Sequence, residues 1–190
     1  MSTCLHCRHS LGLARAGARY CSHACRQAAY RARIKHAATN PTPPTRPASA
    51  PITDELRNRR RWTRAAGKRP ITTAGSPASS TRAYTWTDYD HARRSTAGDG
   101  LGIMLGGGLG CWDLDHCLTD TGELTPEAAG IVASIAAPIV YAEVSVSGRG
   151  LHVFTREPEA PGIERPWGGH YTRARFIRVT GNSWTAPSAP

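Results

Sequence analysis

The sequence predicts an α+β fold, a mainly antiparallel sheet with flanking helices, preceded by a small N-terminal zinc-binding module. Three observations predict it. From Leu101 onward, short runs rich in Val, Ile and aromatic residues alternate with glycine turns, as antiparallel strands do. Between them, Thr125-Pro126 opens one helical stretch, Pro126 to Ala136, with threonine as cap and proline at the first helical position. At the other end of the chain, Cys4-x2-Cys7 and Cys21-x3-Cys25 place four thiols in two close pairs.

The chain has 190 residues, 39% of them apolar. That gives room for one mid-sized domain and an appendage. The net charge of +10 is unevenly spread. Residues 1–100 carry 18 Lys+Arg against 5 Asp+Glu, a surplus of 13, and residues 101–190 carry 6 against 9, a deficit of 3. A basic flank beside an acidic half suits a nucleic-acid partner, because the basic part holds phosphates. No apolar run approaches the length of a membrane span and the N-terminus has no apolar signal core, so a cytoplasmic protein that does not enter the membrane is expected. There cysteines stay reduced or bind metal.

Taken in order, Cys4, Cys7, Cys21 and Cys25 can surround one Zn²⁺ tetrahedrally. His6, His9 and His23 are alternative ligands, but thiolates are the better match for zinc. The insert from Arg8 to Tyr20 contains two glycines and suits a short hairpin. Ser22 caps a basic helix that starts near His23 and runs to about Ala38. The Tyr20-Cys21-Ser22-x-x-Cys25-Arg26 run resembles small zinc knuckles, which bind DNA or protein or only fold a tail. A Pro-rich stretch follows, and we divide the chain into a knuckle (1–38), a linker (39–53), a main domain (54–184) and a tail (185–190). Residues 54–66 look helical at first, but Trp62 opens a different pattern, and Trp62 to Pro70 suits a strand pair or loop. A helix capped by Thr87 is expected to extend to Arg94.

Gly102 to Leu105 reads as a strand, Gly106-Gly107-Gly108 as a hairpin turn and Gly110 to Asp115 as the next strand. The glycine run is no phosphate loop, because the Gly-Lys-Ser/Thr ending is missing. In the run Cys111-Trp112-Asp113-Leu114-Asp115, strand alternation sends both aspartates to one side. Paired carboxylates repel unless a cation lies between them, and oxygen ligands suit Mg²⁺ or Mn²⁺. Val140 to Ser147 and Leu151 to Thr155 are two further strands, and His170–Tyr171 and Arg175 to Thr180 two more. If Gly148-Arg149 is a two-residue turn, Ser145 faces His152 across the hairpin. Small residues at such a tip admit a triphosphate, Arg149 offers it a fork, and His152 can donate to a phosphate oxygen. A Ser–His hydrolase would need a nucleophile elbow, which is missing.

From Trp86 onward these motifs, in order, resemble the N-terminal primase–polymerase domain of phage- and plasmid-type replication proteins, in the archaeo-eukaryotic primase superfamily. The carriers are Thr85-Trp86-Thr87, Gly102 to Leu105, Asp113-Leu114-Asp115-His116, Tyr141 to His152 and Arg175 to Gly181, and the similarity covers roughly residues 56–184. The resemblance implies an RNA-recognition-motif-like core and metal-dependent nucleotide addition on a single-stranded DNA template. It implies Asp113 and Asp115 as metal ligands for Mg²⁺ or Mn²⁺, with His152 catalytic. Ser145, Ser147, Gly148 and His152 match the nucleotide-binding motif, with Arg149 at its tip, and Arg175 matches the basic residue of the last motif. The family's third carboxylate has no counterpart: Gly169 stands in its place, with Glu143, Glu164 and His170 as candidates to compensate. Three readings follow: a primase–polymerase using nucleoside triphosphates, a catalytically impaired DNA-binding replication accessory protein, or a zinc-knuckle interaction protein whose partner is another protein. Any helicase is expected to be a separate protein.

Overall fold

The computed structural model describes residues 3–11, 18–29 and 51–185, and the chain divides into two compact units, residues 1–47 and 48–190. The first unit is built on a turn and a helical segment. Cys4 N–H donates to the His9 carbonyl and Arg8 N–H to the Cys4 carbonyl, folding the first cysteine pair into a tight loop. Residues 23–29 are helical, and Ser22 Oγ accepts from Cys25 N–H at their start, as the sequence predicts. The centre of the expected hairpin, the helix beyond residue 29 and the Pro-rich linker up to residue 50 lie outside the described residues.

The second unit is α+β with antiparallel pairing throughout the register of its strands. Its elements are α1 (Asp54–Arg57), β1 (Trp62–Ala66), β2 (Arg69–Ile71), a 3₁₀ turn (Ala83–Thr85), α2 (Tyr89–Arg94), β3 (Gly100–Met104), β4 (Leu109–Leu114), α3 (Pro126–Ala133), β5 (Ile139–Val144), β6 (Leu151–Arg156), β7 (Ile163–Arg165), β8 (Gly168–Tyr171) and β9 (Phe176–Val179). One sheet has the order β2-β1-β3-β9 and the other β5-β6-β4-β8-β7. No helix among the described residues is long and apolar enough to cross a membrane.

The glycine turn joins two sheets instead of two paired strands, which corrects the hairpin expectation. Gly106 N–H donates to the Leu109 carbonyl, so the turn itself is tight, but β3 and β4 belong to different sheets. All three glycines have positive φ (123°, 60° and 79°), a run that side chains would strain. Glu159 accepts from Gly107 N–H and Arg59 donates to the Gly107 carbonyl, so both backbone polar groups of Gly107 are satisfied by side chains.

Helix α3 starts as the sequence predicts. Pro126 sits at its start and Thr125 Oγ1 accepts from Ala128 N–H. It ends at Ala133, before the expected Ala136. In α2 the cap is Asp88, whose side chain accepts from His91 N–H, and not Thr87. Thr87 is used otherwise: it exchanges both backbone hydrogen bonds with Trp62.

Two apolar clusters hold the unit together. Trp62, Ile103, Ile177 and Val179 of the first sheet pack with Cys111, Tyr141 and Phe154 of the second, and Leu56 and Ala92 close the cluster. Leu114, Val144, Leu151 and Val153 point away from the first sheet and pack with Ala128 of α3. Strand β6 is therefore covered on both faces and buried from Leu151 to Thr155. Full burial of a side chain such as Phe154 contributes about 1.5–3 kcal/mol. The two faces of β6 thus lie in different clusters, and His152 is one of the few polar side chains its sequence sends inward.

Candidate active site

The register of the second sheet lines up five residues in one transverse row. Glu143 of β5 lies opposite His152 of β6, His152 opposite Asp113 of β4, Asp113 opposite Gly169 of β8, and Gly169 opposite Glu164 of β7. Directly opposed residues share a sheet face, so the row is set by backbone pairing before any side-chain contact is made. Asp115 follows just past the end of β4, where its N–H continues the ladder by donating to the Trp167 carbonyl.

His152 is held between two carboxylates. Its Nδ1 lies 3.1 Å from Glu143 Oε1 and its Nε2 lies 3.5 Å from Asp113 Oδ1. Glu143 is fully buried and also accepts from the backbone N–H groups of Thr180 and Gly181. With Nδ1 turned to Glu143, Nε2 faces Asp113 and the open side of the row. Glu143 thus fixes the orientation of the ring.

Asp113 is the strained charge of the row. Its burial raises its carboxyl above the ordinary carboxylate value; His152 opposes that rise, Asp115 adds to it, and Arg175 and Lys68 oppose it. Lys68 comes from the β1–β2 turn and Arg175 from the turn before β9, so both sheets contribute charge to the site. Arg175 also lies over the Tyr171 ring, 4.2 Å from its centroid.

The hairpin between β5 and β6 is wider than expected. Ser145 pairs with Gly150, whose carbonyl accepts its N–H, and Gly148 N–H donates back to the Ser145 carbonyl. The loop therefore spans residues 146–149, and the residue opposite His152 is Glu143, not Ser145. The cause is local: Ser145 and Ser147 hydroxyls lie 3.0 Å apart, Arg149 N–H donates to Ser147 Oγ, and Gly148 takes φ 73°. These bonds favour a four-residue turn over a two-residue one. Ser145 remains on the His152 face, two pairs along, and Gly150 is needed there because a Cβ would press on Leu114 O and Ser145 Oγ. Arg149 leans away from the row and pairs with Asp120.

His170 lies on the other face. It sits opposite Trp112, stacks on that indole at 4.2 Å and pairs with Glu157, so it cannot complete the acidic site. Lys68 carries no sequence signal of its own, and its charge reaches Asp113 from a turn of the other sheet, whereas Tyr171 shares the Asp113 face because β8 pairs with β4.

No protein-family model matches the chain, and no curated protein matches it.

In the first unit, the ligand atoms of Cys4, Cys7, Cys21 and Cys25 all lie within 4.8 Å of one another. Cys21 Sγ is 3.4 Å from both Cys7 Sγ and Cys25 Sγ. A tetrahedral zinc with Zn–S bonds of about 2.3 Å needs sulfurs about 3.8 Å apart, so the cluster fits zinc. The Cys7 N–H beside Cys4 pulls that thiol down to about 6, while hydrogen bonding with the Cys25 thiol pushes Cys21 up to about 12. Four packed thiols cannot all ionise without a cation among them. Among the described residues, no other set of three or more His, Cys, Asp or Glu gathers its ligand atoms this closely.

Asp113 and Asp115 offer oxygen ligands that suit a hard divalent cation. A pair of cations does not fit the same residues. Beyond Asp113 the row offers Gly169, which has no side chain, and Arg175 and Lys68 already place positive charge beside the pair.

Proposed function

We propose that the second unit is a nucleotidyltransferase of the primase–polymerase type that extends a strand on single-stranded DNA, with the cysteine cluster as its zinc-bound appendage. The observation that supports this reading best is the adjacency of His152 and Asp113 across β6 and β4, beside Asp115 and a serine–glycine loop. In this reading Asp113 and Asp115 hold a Mg²⁺ or Mn²⁺ ion, which when bound neutralises developing charge on the transferring phosphoryl group. The Ser145–Gly150 loop lets the triphosphate approach the backbone. His152, its ring oriented by Glu143 and carrying a proton on both nitrogens in this step, donates from Nε2 to a phosphate oxygen, and Arg175 and Lys68 hold negative charge at the mouth of the site. The primer 3′-hydroxyl loses its proton to solvent, and the bond from its oxygen to the α-phosphorus forms as the bond to pyrophosphate breaks.

A second reading keeps the fold and loses the chemistry: a DNA-binding replication accessory protein, working with a separate helicase. Gly169 opposite Asp113 favours it, since a carboxylate there would add a ligand. A labelled-nucleotide extension assay on primed single-stranded DNA separates the two. Template-dependent incorporation with Mn²⁺ or Mg²⁺, abolished in Asp115→Ala, supports the enzyme. Salt-sensitive DNA binding that survives Asp115→Ala, with no incorporation under either metal, supports the accessory protein.

A further inference from the structure

We infer that Tyr171 occupies the space beside Asp113 and limits the acidic pair to one divalent cation. This rests on the reading above that Asp113 and Asp115 hold a cation. The row Glu143–His152–Asp113–Gly169–Glu164 is continuous, yet on the open side of Asp113 its next side chain is missing. That space is filled. A Cβ built on Gly169 would fall on the Tyr171 phenol, and one built on Gly162 would press on the same ring. Two glycines therefore form a slot in which the ring lies along the sheet face.

The ring is fastened at both ends. Its hydroxyl donates to Glu164 Oε1 at 3.3 Å, and Arg175 covers its face at 4.2 Å. Glu164, the next acid along the row, is thereby turned to the phenol and stands on the far side of the ring from Asp113. The charges agree with the shape. Two cations 3.5–4 Å apart, the usual two-metal spacing, bring four positive charges. Against them stand Asp113 and Asp115, already beside Arg175 and Lys68. A phenol in the second position is neutral and compensates nothing. The two carboxylates alone equal the charge of one cation; a second is repelled by Arg175 and finds no bridging carboxylate. The arrangement also accounts for Gly169, since any larger residue displaces the ring.

The test counts Mn²⁺ bound to the zinc-loaded full chain, by equilibrium dialysis with elemental analysis that measures zinc separately. The expected result is one Mn²⁺ per chain in the wild type and none in Asp113→Asn. A double variant, Gly169→Glu with Tyr171→Ala, is expected to take up a second. Two Mn²⁺ per chain in the wild type, both lost in Asp113→Asn, overturns the inference and leaves the enzymatic reading standing. No Mn²⁺ in the wild type overturns the inference together with the cation site of that reading. The wild-type count decides whether or not the double variant folds; if it folds and still binds one, the assignment of Tyr171 is overturned.

Discussion

Glu143→Ala is expected to destabilise the second unit by roughly 3–5 kcal/mol, the range for removing one member of a buried, hydrogen-bonded charge pair. Glu143 is fully buried and collects His152 Nδ1 and the N–H groups of Thr180 and Gly181. Alanine leaves these donors without an acceptor, and an unsatisfied buried donor costs about 1–3 kcal/mol. The carboxylate also ties the end of β9 to β5, two strands of different sheets, so its loss loosens the contact that sets the site. For a unit of this size the melting temperature should fall by about 10–20 °C. Glu143→Gln keeps an acceptor oxygen but turns a donor toward other donors, and should fall between the two. A thermal melt with no change in Glu143→Ala would contradict the role assigned to this residue.

Asp113→Asn is expected to separate stability from chemistry. Burial raises the Asp113 carboxyl, with His152 only partly offsetting the rise. A carboxyl whose value in the folded protein exceeds its unfolded value binds its proton more tightly when folded. The wild type should therefore lose stability as pH rises from about 4, the ordinary carboxylate value, through the raised value of Asp113, and should recover it as pH falls. Asparagine removes that slope, and at neutral pH its melting temperature should equal or exceed that of the wild type. Nucleotide transfer should drop by more than about 100-fold, the least expected for a ligand when its supporting residues alone are worth 10–100-fold. A variant that melts early and keeps transfer would reverse both expectations. Active-site charges that cost stability are the usual trade between folding and function.

Some of this was legible in the sequence for local reasons. The cap of α3 needs only Thr125 and Pro126, and the start of the N-terminal helical segment needs only Ser22. The shared face of Asp113 and His152 follows from strand parity once β4 and β6 are known to pair. What the sequence left open depends on register and on long-range pairing. A two-residue and a four-residue turn at Ser145–Gly150 keep the same side chains on the same face, yet they decide whether Ser145 or Glu143 meets His152. Thr87 and Asp88 are both good caps side by side, and Thr87 is drawn away by its pairing with Trp62. Strand β7 escaped because Ile163-Glu164-Arg165 is short and exposed throughout, with no buried face to give it a pattern. The glycine turn looked like a hairpin because the turn is tight; that its strands part into different sheets is decided by their other neighbours.

If Asp113 and His152 act together, their row grips a triphosphate through a cation. The measurement is equilibrium binding of a nucleoside triphosphate to the zinc-loaded full chain, with and without Mn²⁺, for wild type and His152→Ala. Saturable binding that requires Mn²⁺ and weakens at least about 10-fold in His152→Ala, as loss of a hydrogen bond to a charged group should cause, is the predicted result. No binding, or binding indifferent to both the cation and His152, would contradict it.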